Sequence, residues 1–133
     1  MNPLSLEEFM KIENVEVQDI TKKFGTPVYV YSLEILRRSI GEIKQLAPVT
    51  RYAMKASSNV RILKEMLDNG VKIDAVSVFE VQRALRAGFS TNDICFTSDV
   101  FFDDSDVKFC LENNIYCNCG TLGMAIPNVP QLQ

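Results

Sequence analysis

The stretch VKIDAVSVFEVQRALRAGFSTNDICFTSDV, residues 71–100, decides the fold class. It opens on a strand-like apolar run at Val71, passes through an amphipathic helical stretch, and returns to a second strand-like run near Ile94. Val78, Val81 and Leu85 share one face at helical spacing. Ser77 and Glu80 form an S-x-x-E capping box at the start of that helix, and Gly88 stands where its end wants a cap. Outward from this unit the same pattern recurs. Strand-like runs begin near Val49, Val71, Ile94 and Ile115, at spacings of 22, 23 and 21 residues. Val60, Leu63, Met66 and Leu67 share a face after the first run, closed by Gly70; Val107, Cys110 and Leu111 do so after the third. Strands alternating with helices through short loops predict βαβ units and a parallel sheet, an α/β fold. The pattern alone fits an open doubly wound sheet and a (β/α)8 barrel equally. Neither G-x-G-x-x-G nor G-x-x-x-x-G-K-[ST] follows a strand, so no nucleotide fingerprint supports the open sheet.

The flanks read differently. The first ~16 residues carry little pattern. Val17, Ile20 and Phe24 then mark a short helix, with Gly25 at its end. TPVYVY, residues 26–31, reads as a strand from its β-branched and aromatic content. Ser32 can cap a helix with Leu33, Leu36, Ile40 and Ile43 on one face, ended by Pro48. The last stretch, GTLGMAIPNVPQLQ, loses the pattern, since Pro127 and Pro130 prevent a regular helix.

Composition excludes several function classes. The 133 residues are 47% hydrophobic and 23% charged, with a net charge of -3. No cluster of Lys and Arg is present, which argues against nucleic acid as a partner. No apolar run approaches the ~20 residues needed to span a bilayer. The N-terminus is acidic and lacks an apolar core, so it does not read as a signal peptide. There is no histidine, the commonest metal ligand and general base, and no metal is expected. Cys95, Cys110, Cys117 and Cys119 lack C-x-x-C spacing and read as reduced core residues of a cytoplasmic protein.

Chemistry concentrates in VTRYAMKASSN, residues 49–59. Strand parity sets Val49, Arg51, Ala53 and Lys55 on one face and Thr50, Tyr52 and Met54 on the other. Lys55 then falls at the carboxyl end of its strand, where barrel enzymes place catalytic groups. Ala53, Met54 and Ala56 are small or apolar, a setting that desolvates an amine and makes it nucleophilic. Taken alone, such a lysine is also what a solvated strand end looks like. Arg51 shares its face and is either buried among interior groups or adds positive field near Lys55.

Three segments in order, FGTPVYVYS (24–32), RYAMKASSN (51–59) and IDAVSVFEVQRALRAGF (73–89), resemble the diaminopimelate decarboxylase family of pyridoxal-phosphate-dependent barrel decarboxylases. That family has a GTP-x-YVY strand and then YA-x-KAN with the cofactor lysine. An Asp-x-x-Ser, a Glu and an A-L-x-A-G-[FY] helix follow. Here Asp74 lies nineteen residues after Lys55, and Ser77 three further on. DICFTSDV (93–100) and NCGTLGM (118–124) also resemble it, so the likeness covers roughly residues 15–124.

The resemblance implies about the first four units of a (β/α)8 barrel, preceded by a strand that joins a β-domain in the whole family. On that division residues 1–31 are the N-terminal segment and strand, 32–124 the partial cofactor-binding barrel, and 125–133 an unstructured or aberrant tail. Lys55 would hold pyridoxal 5'-phosphate. Asp74 would receive the freed Lys55 amine, Ala53 would leave room for the flat ring, and Ser77 would border the cofactor, although its capping box already accounts for it. The reaction would take meso-diaminopimelate, a small amino acid, to L-lysine, in a protein that is a homodimer at full length. Ser57 stands where the family has the Asn of YA-x-KAN, with Asn59 two positions on. The family's ring-stacking histidine, glycine-rich phosphate loop and C-terminal Cys and Tyr are not in this chain, so the chain alone is expected to be inactive. The alternatives are an ornithine or arginine decarboxylase, an alanine-racemase-like protein, and a remnant without enzymatic activity. The racemase pattern A-x-A-Y-G-H-G after the lysine is not met by Ala56-Ser57-Ser58-Asn59.

Overall fold

The computed structural model describes residues 10–97 and 103–125. The chain divides into two units between Ser39 and Ile40. In the first, β1 (Lys11–Ile12) and β2 (Val15–Glu16) pair antiparallel. Glu13 turns the hairpin with φ 56°, and Lys11 Nζ lies 3.1 Å from the Glu16 carboxylate. Helix α1 (Val17–Phe24) follows and buries none of its residues. Gly25, at φ 79°, ends it by giving its N–H to the Thr21 carbonyl.

Residues 26–31, read above as a strand, form no strand here. They pair with nothing among the described residues, and Tyr29 is 91% exposed. Their side chains favour extended backbone, but a strand also needs a neighbouring row of peptide groups, which the described residues do not supply. Helix α2 (Leu33–Leu46) starts where expected. Ser32 Oγ accepts the Ile35 N–H at 3.0 Å and itself donates to the Glu13 carboxylate, which also takes the Glu34 N–H at 3.3 Å. The helix stops at Leu46, two residues before Pro48. Of its expected apolar face only Ile40 is buried; Ile43 is exposed.

The second unit is a parallel sheet. Strands β3 (Arg51–Ala53), β4 (Lys72–Ala75), β5 (Ile94–Thr97) and β6 (Tyr116–Asn118) lie side by side in chain order. Helices α3 (Val60–Asp68), α4 (Val78–Ala87) and α5 (Asp104–Glu112) connect them, and α6 (Leu122–Ala125) follows β6. These are the strand–helix units the spacing predicts. Ala53, Asp74, Cys95 and Tyr116 are successive Cα partners, one row across the sheet.

Alternation sends Ile73, Ala75, Ile94 and Phe96 to one face, where they are fully buried with Leu63 and Met66 of α3, Val81 and Ala84 of α4, and Val107 and Cys110 of α5. The helix faces differ in detail from the periodicity. Val60, at the first position of α3, is exposed, whereas Ile62 and Glu65 are buried; Leu111 is exposed on α5. Glu65 is tolerated because its carboxylate lies 3.6 Å from Arg61, one turn earlier. At Gly88, φ is 108° and a Cβ would come within 3.2 Å of Leu67, so both backbone and space call for glycine. The tail beyond residue 125 lies outside the described residues.

Ile73 sits at the centre of this core with no exposure. Ile73→Ala is expected to lower unfolding free energy by about 2–5 kcal/mol. Urea denaturation followed by circular dichroism measures it; a loss under 1 kcal/mol, on the order of a surface substitution, would contradict this packing.

Candidate active site

The sheet's second face is polar. It carries Arg51 and Ala53 on β3, Lys72 and Asp74 on β4, Cys95 and Thr97 on β5, and Tyr116 and Asn118 on β6. In a closed parallel barrel the face away from the helices is the interior, and its carboxyl-end groups do the chemistry.

Lys55 does not continue strand β3, as parity predicted. The strand stops at Ala53, and Met54–Ala56 form one 3-10 turn. The turn drops Met54 to 1% exposure and leaves Lys55 exposed at the carboxyl end of the strand. The position survives and the desolvated setting does not, because the turn, not the pleat, aims the side chain. Beside it on β4, Asp74 is the register partner of Ala53. Its carboxylate accepts a 2.6 Å hydrogen bond from Thr97 Oγ1 on β5. Ala53 and Asp74 are half-buried.

Ser77 lies two residues past β4. Its Oγ accepts the Glu80 N–H at 3.3 Å, and the Glu80 carboxylate takes the Val76 N–H at 2.8 Å. The capping box is therefore real, with its return arm one residue earlier than the usual N-cap amide. Arg51 is settled by geometry. Nη1 donates to the Ile73 carbonyl at 3.1 Å and the Asp93 carbonyl at 3.2 Å, at the amino ends of the strands and away from Lys55. Close by, Lys72 lies 3.1 Å from the Asp93 carboxylate, which also accepts Ser90 Oγ at 2.6 Å. The Ser90 hydrogen bond, then the one from Lys72, holds the Asp93 carboxyl below its ordinary pKa.

The four thiols are free. Burial pushes the Cys95 thiol up, beyond what its Thr97 contact offsets. A thiol–thiol hydrogen bond raises Cys110 and lowers Cys117. Cys110 is fully buried and the other three are half-buried.

Three residues around the site escaped the sequence reading: Thr97, Tyr52 and Arg83. Thr97 was discoverable, since it lies two residues past Cys95, the row partner of Asp74, and so shares its face. Tyr52 OH donates to the Ser57 carbonyl at 3.0 Å and Arg83 Nη1 to Ser58 Oγ at 2.7 Å. No periodicity announces either.

The sheet with its carboxyl-end lysine and carboxylate defines the class: residues 33–125 match the family model described as "Pyridoxal-dependent decarboxylase, pyridoxal binding domain", and the chain belongs to that family. More particularly, the chain is 43% identical over 106 residues to the diaminopimelate decarboxylase of Escherichia coli K12, covering 77% of this chain and 25% of that one. It is 37% identical over 117 residues to the same-named protein of Buchnera aphidicola subsp. Schizaphis graminum, covering 86% and 27%. A crystal structure of diaminopimelate decarboxylase superposes with a TM-score of 0.77 at 38% identity, over 87% of this chain and 28% of that one. The arginine decarboxylase of Paramecium bursaria Chlorella virus bound to agmatine superposes with a TM-score of 0.65 at 28% identity, over 74% and 28%. The chain thus spans about a quarter of the length of the curated relatives it matches.

The Thr97–Asp74 bond carries a stability prediction. Thr97→Val keeps the shape and removes the donor, leaving a half-buried carboxylate short of a partner. It is expected to cost about 1–3 kcal/mol, and Thr97→Ser to cost less, because it keeps the hydroxyl. A larger loss for Thr97→Ser than for Thr97→Val in urea titrations would show that the methyl, not the hydroxyl, matters.

Proposed function

We propose that this chain is the lysine-bearing part of a pyridoxal-phosphate-dependent decarboxylase that converts meso-diaminopimelate to L-lysine and carbon dioxide. The observation that carries the reading is Lys55 at the carboxyl end of β3, with Asp74 held by Thr97 on the adjoining strand. An amine just past the end of β3 and a carboxylate on the adjoining β4 suit the aldehyde end of pyridoxal phosphate, and alanine at position 53 leaves space on the face that carries Asp74. When bound, that cofactor supplies an electron sink for the pair left by departing carbon dioxide.

Lys55 Nζ would hold the cofactor, and Lys55 or another acid would supply the proton that returns to the substrate carbon. The Asp74 carboxylate would hold the Lys55 amine in its charged form through a charge-assisted contact. Ser77 keeps the turn after β4 in shape beside the cofactor by capping α4. The diaminopimelate substrate is favoured by the curated relatives of 43% and 37% identity, both diaminopimelate decarboxylases. Residues 1–31 would serve a β-domain, in which residues 26–31 would find the neighbouring strand that the described residues do not supply, and the protein would act as a homodimer. Free thiols throughout the described residues support a reducing, cytoplasmic setting. Among the described residues, no helix is long and apolar enough to cross a membrane.

In protein with a complete barrel, borohydride added with pyridoxal phosphate should fix the cofactor mass on the peptide containing Lys55. Label on Lys64 or Lys72 instead would sink the assignment. Lys55→Ala should abolish lysine release from meso-diaminopimelate with the circular dichroism spectrum retained. The 133-residue chain by itself should release no carbon dioxide above free cofactor, since four strands supply half the walls of a site that eight strands enclose.

A further inference from the structure

The turn that carries Lys55 is tied on both sides. Upstream, Met54 is sunk in the core at 1% exposure. Downstream, three consecutive residues are held by three separate side chains. The half-buried Tyr52 sends its hydroxyl to the Ser57 carbonyl at 3.0 Å. Arg83, on α4, reaches back from the next strand–helix unit to Ser58, with Nη1 2.7 Å from Oγ and 3.5 Å from the carbonyl. Asn59 caps α3, its side chain taking the Arg61 N–H at 2.8 Å. Only Lys55 and Ala56 lie between these anchors, and both are exposed.

We propose that Tyr52 and Arg83 are positioning residues for Lys55. They hold residues 54–59 in one conformation, so that the amine is presented in a fixed direction at the end of β3. The proposal rests on Lys55 being the cofactor lysine. Each residue of an unheld loop gains conformational freedom worth roughly 1–2 kcal/mol. A turn pinned at Ser57 and Ser58 has surrendered that freedom during folding rather than at the moment of binding. The two anchors divide the task by chemistry. Tyr52 is local, and its ring is carried by the strand that precedes the turn. Arg83 is not local, and it makes the placement of Lys55 depend on the second unit having folded against the first. A tyrosine kept only for bulk would not need its hydroxyl on a backbone carbonyl. An arginine kept only for solubility would not need its guanidinium on a serine of the neighbouring loop.

Tyr52→Phe and Arg83→Met remove the donors and keep most of the bulk. Protein with a complete barrel is treated with pyridoxal phosphate and borohydride, and peptide mapping gives the share of label on Lys55 relative to Lys64 and Lys72. Each variant is expected to lower that share by about fivefold, the effect of one hydrogen bond of about 1 kcal/mol. Amide exchange across residues 54–59 is expected to quicken by about the same factor, with the far-ultraviolet circular dichroism spectrum unchanged. Arg83→Lys, which keeps a donor on a long side chain, should restore much of the share. Unchanged label and unchanged exchange in both variants would overturn the proposal, as would a loss of label that merely tracks general unfolding. If the unaltered chain takes its label elsewhere than Lys55, the cofactor-lysine reading fails. The exchange rates alone then decide whether the turn is clamped.

Discussion

Parallel strands cannot be joined by a tight turn, and this constraint organises the second unit. Each strand must leave the sheet, cross it as a helix and return beside its predecessor. The register shows the cost in chain length: Ala53, Asp74, Cys95 and Tyr116 are row partners at a constant interval of 21 residues. A strict interval keeps side-chain parity in step from strand to strand. Ile73 and Ile94 therefore meet on the helix side, and Asp74 and Cys95 meet on the other. One face becomes a core, and the opposite face collects the groups able to do chemistry.

The two ends of that polar face have different characters. At the amino ends, Arg51, Lys72, Asp93 and Ser90 tie strand to strand through carbonyl and carboxylate contacts. Those groups satisfy one another and leave little reactive character. At the carboxyl ends, Lys55 lies in the turn just past β3 and Asp74 on β4, its carboxylate steadied from β5. The separation of stabilising groups from reactive ones is the usual economy of parallel barrels.

Contacts between successive units matter as much as those within one. The Lys55 turn belongs to the first strand–helix unit, yet Arg83 of the second holds it. Asp74 belongs to the second, yet Thr97 of the third orients it. Helix α3 contacts α4, so the same order of dependence runs through the apolar layer. The candidate site is thus a property of consecutive units together.

Local sequence determined the elements. The N-cap at Ser32, the capping box at Ser77, the helix ends at Gly25 and Gly88, and the four strand starts all follow from residue chemistry acting within a few positions. The motif around Lys55 and the nineteen-residue step to Asp74 were legible for the same reason, being linear patterns. Tertiary structure decided the rest. Residues 26–31 have the propensity of a strand and no pairing partner among the described residues, because propensity describes a residue and pairing needs a second segment. Parity does not reach Lys55, because the strand ends at Ala53 and Met54–Ala56 fold into a 3-10 turn, whose geometry sets the side-chain direction. The partners Thr97 and Arg83 come from segments 23 and 25 residues away, and only the packed sheet brings a hydroxyl or a guanidinium across that distance.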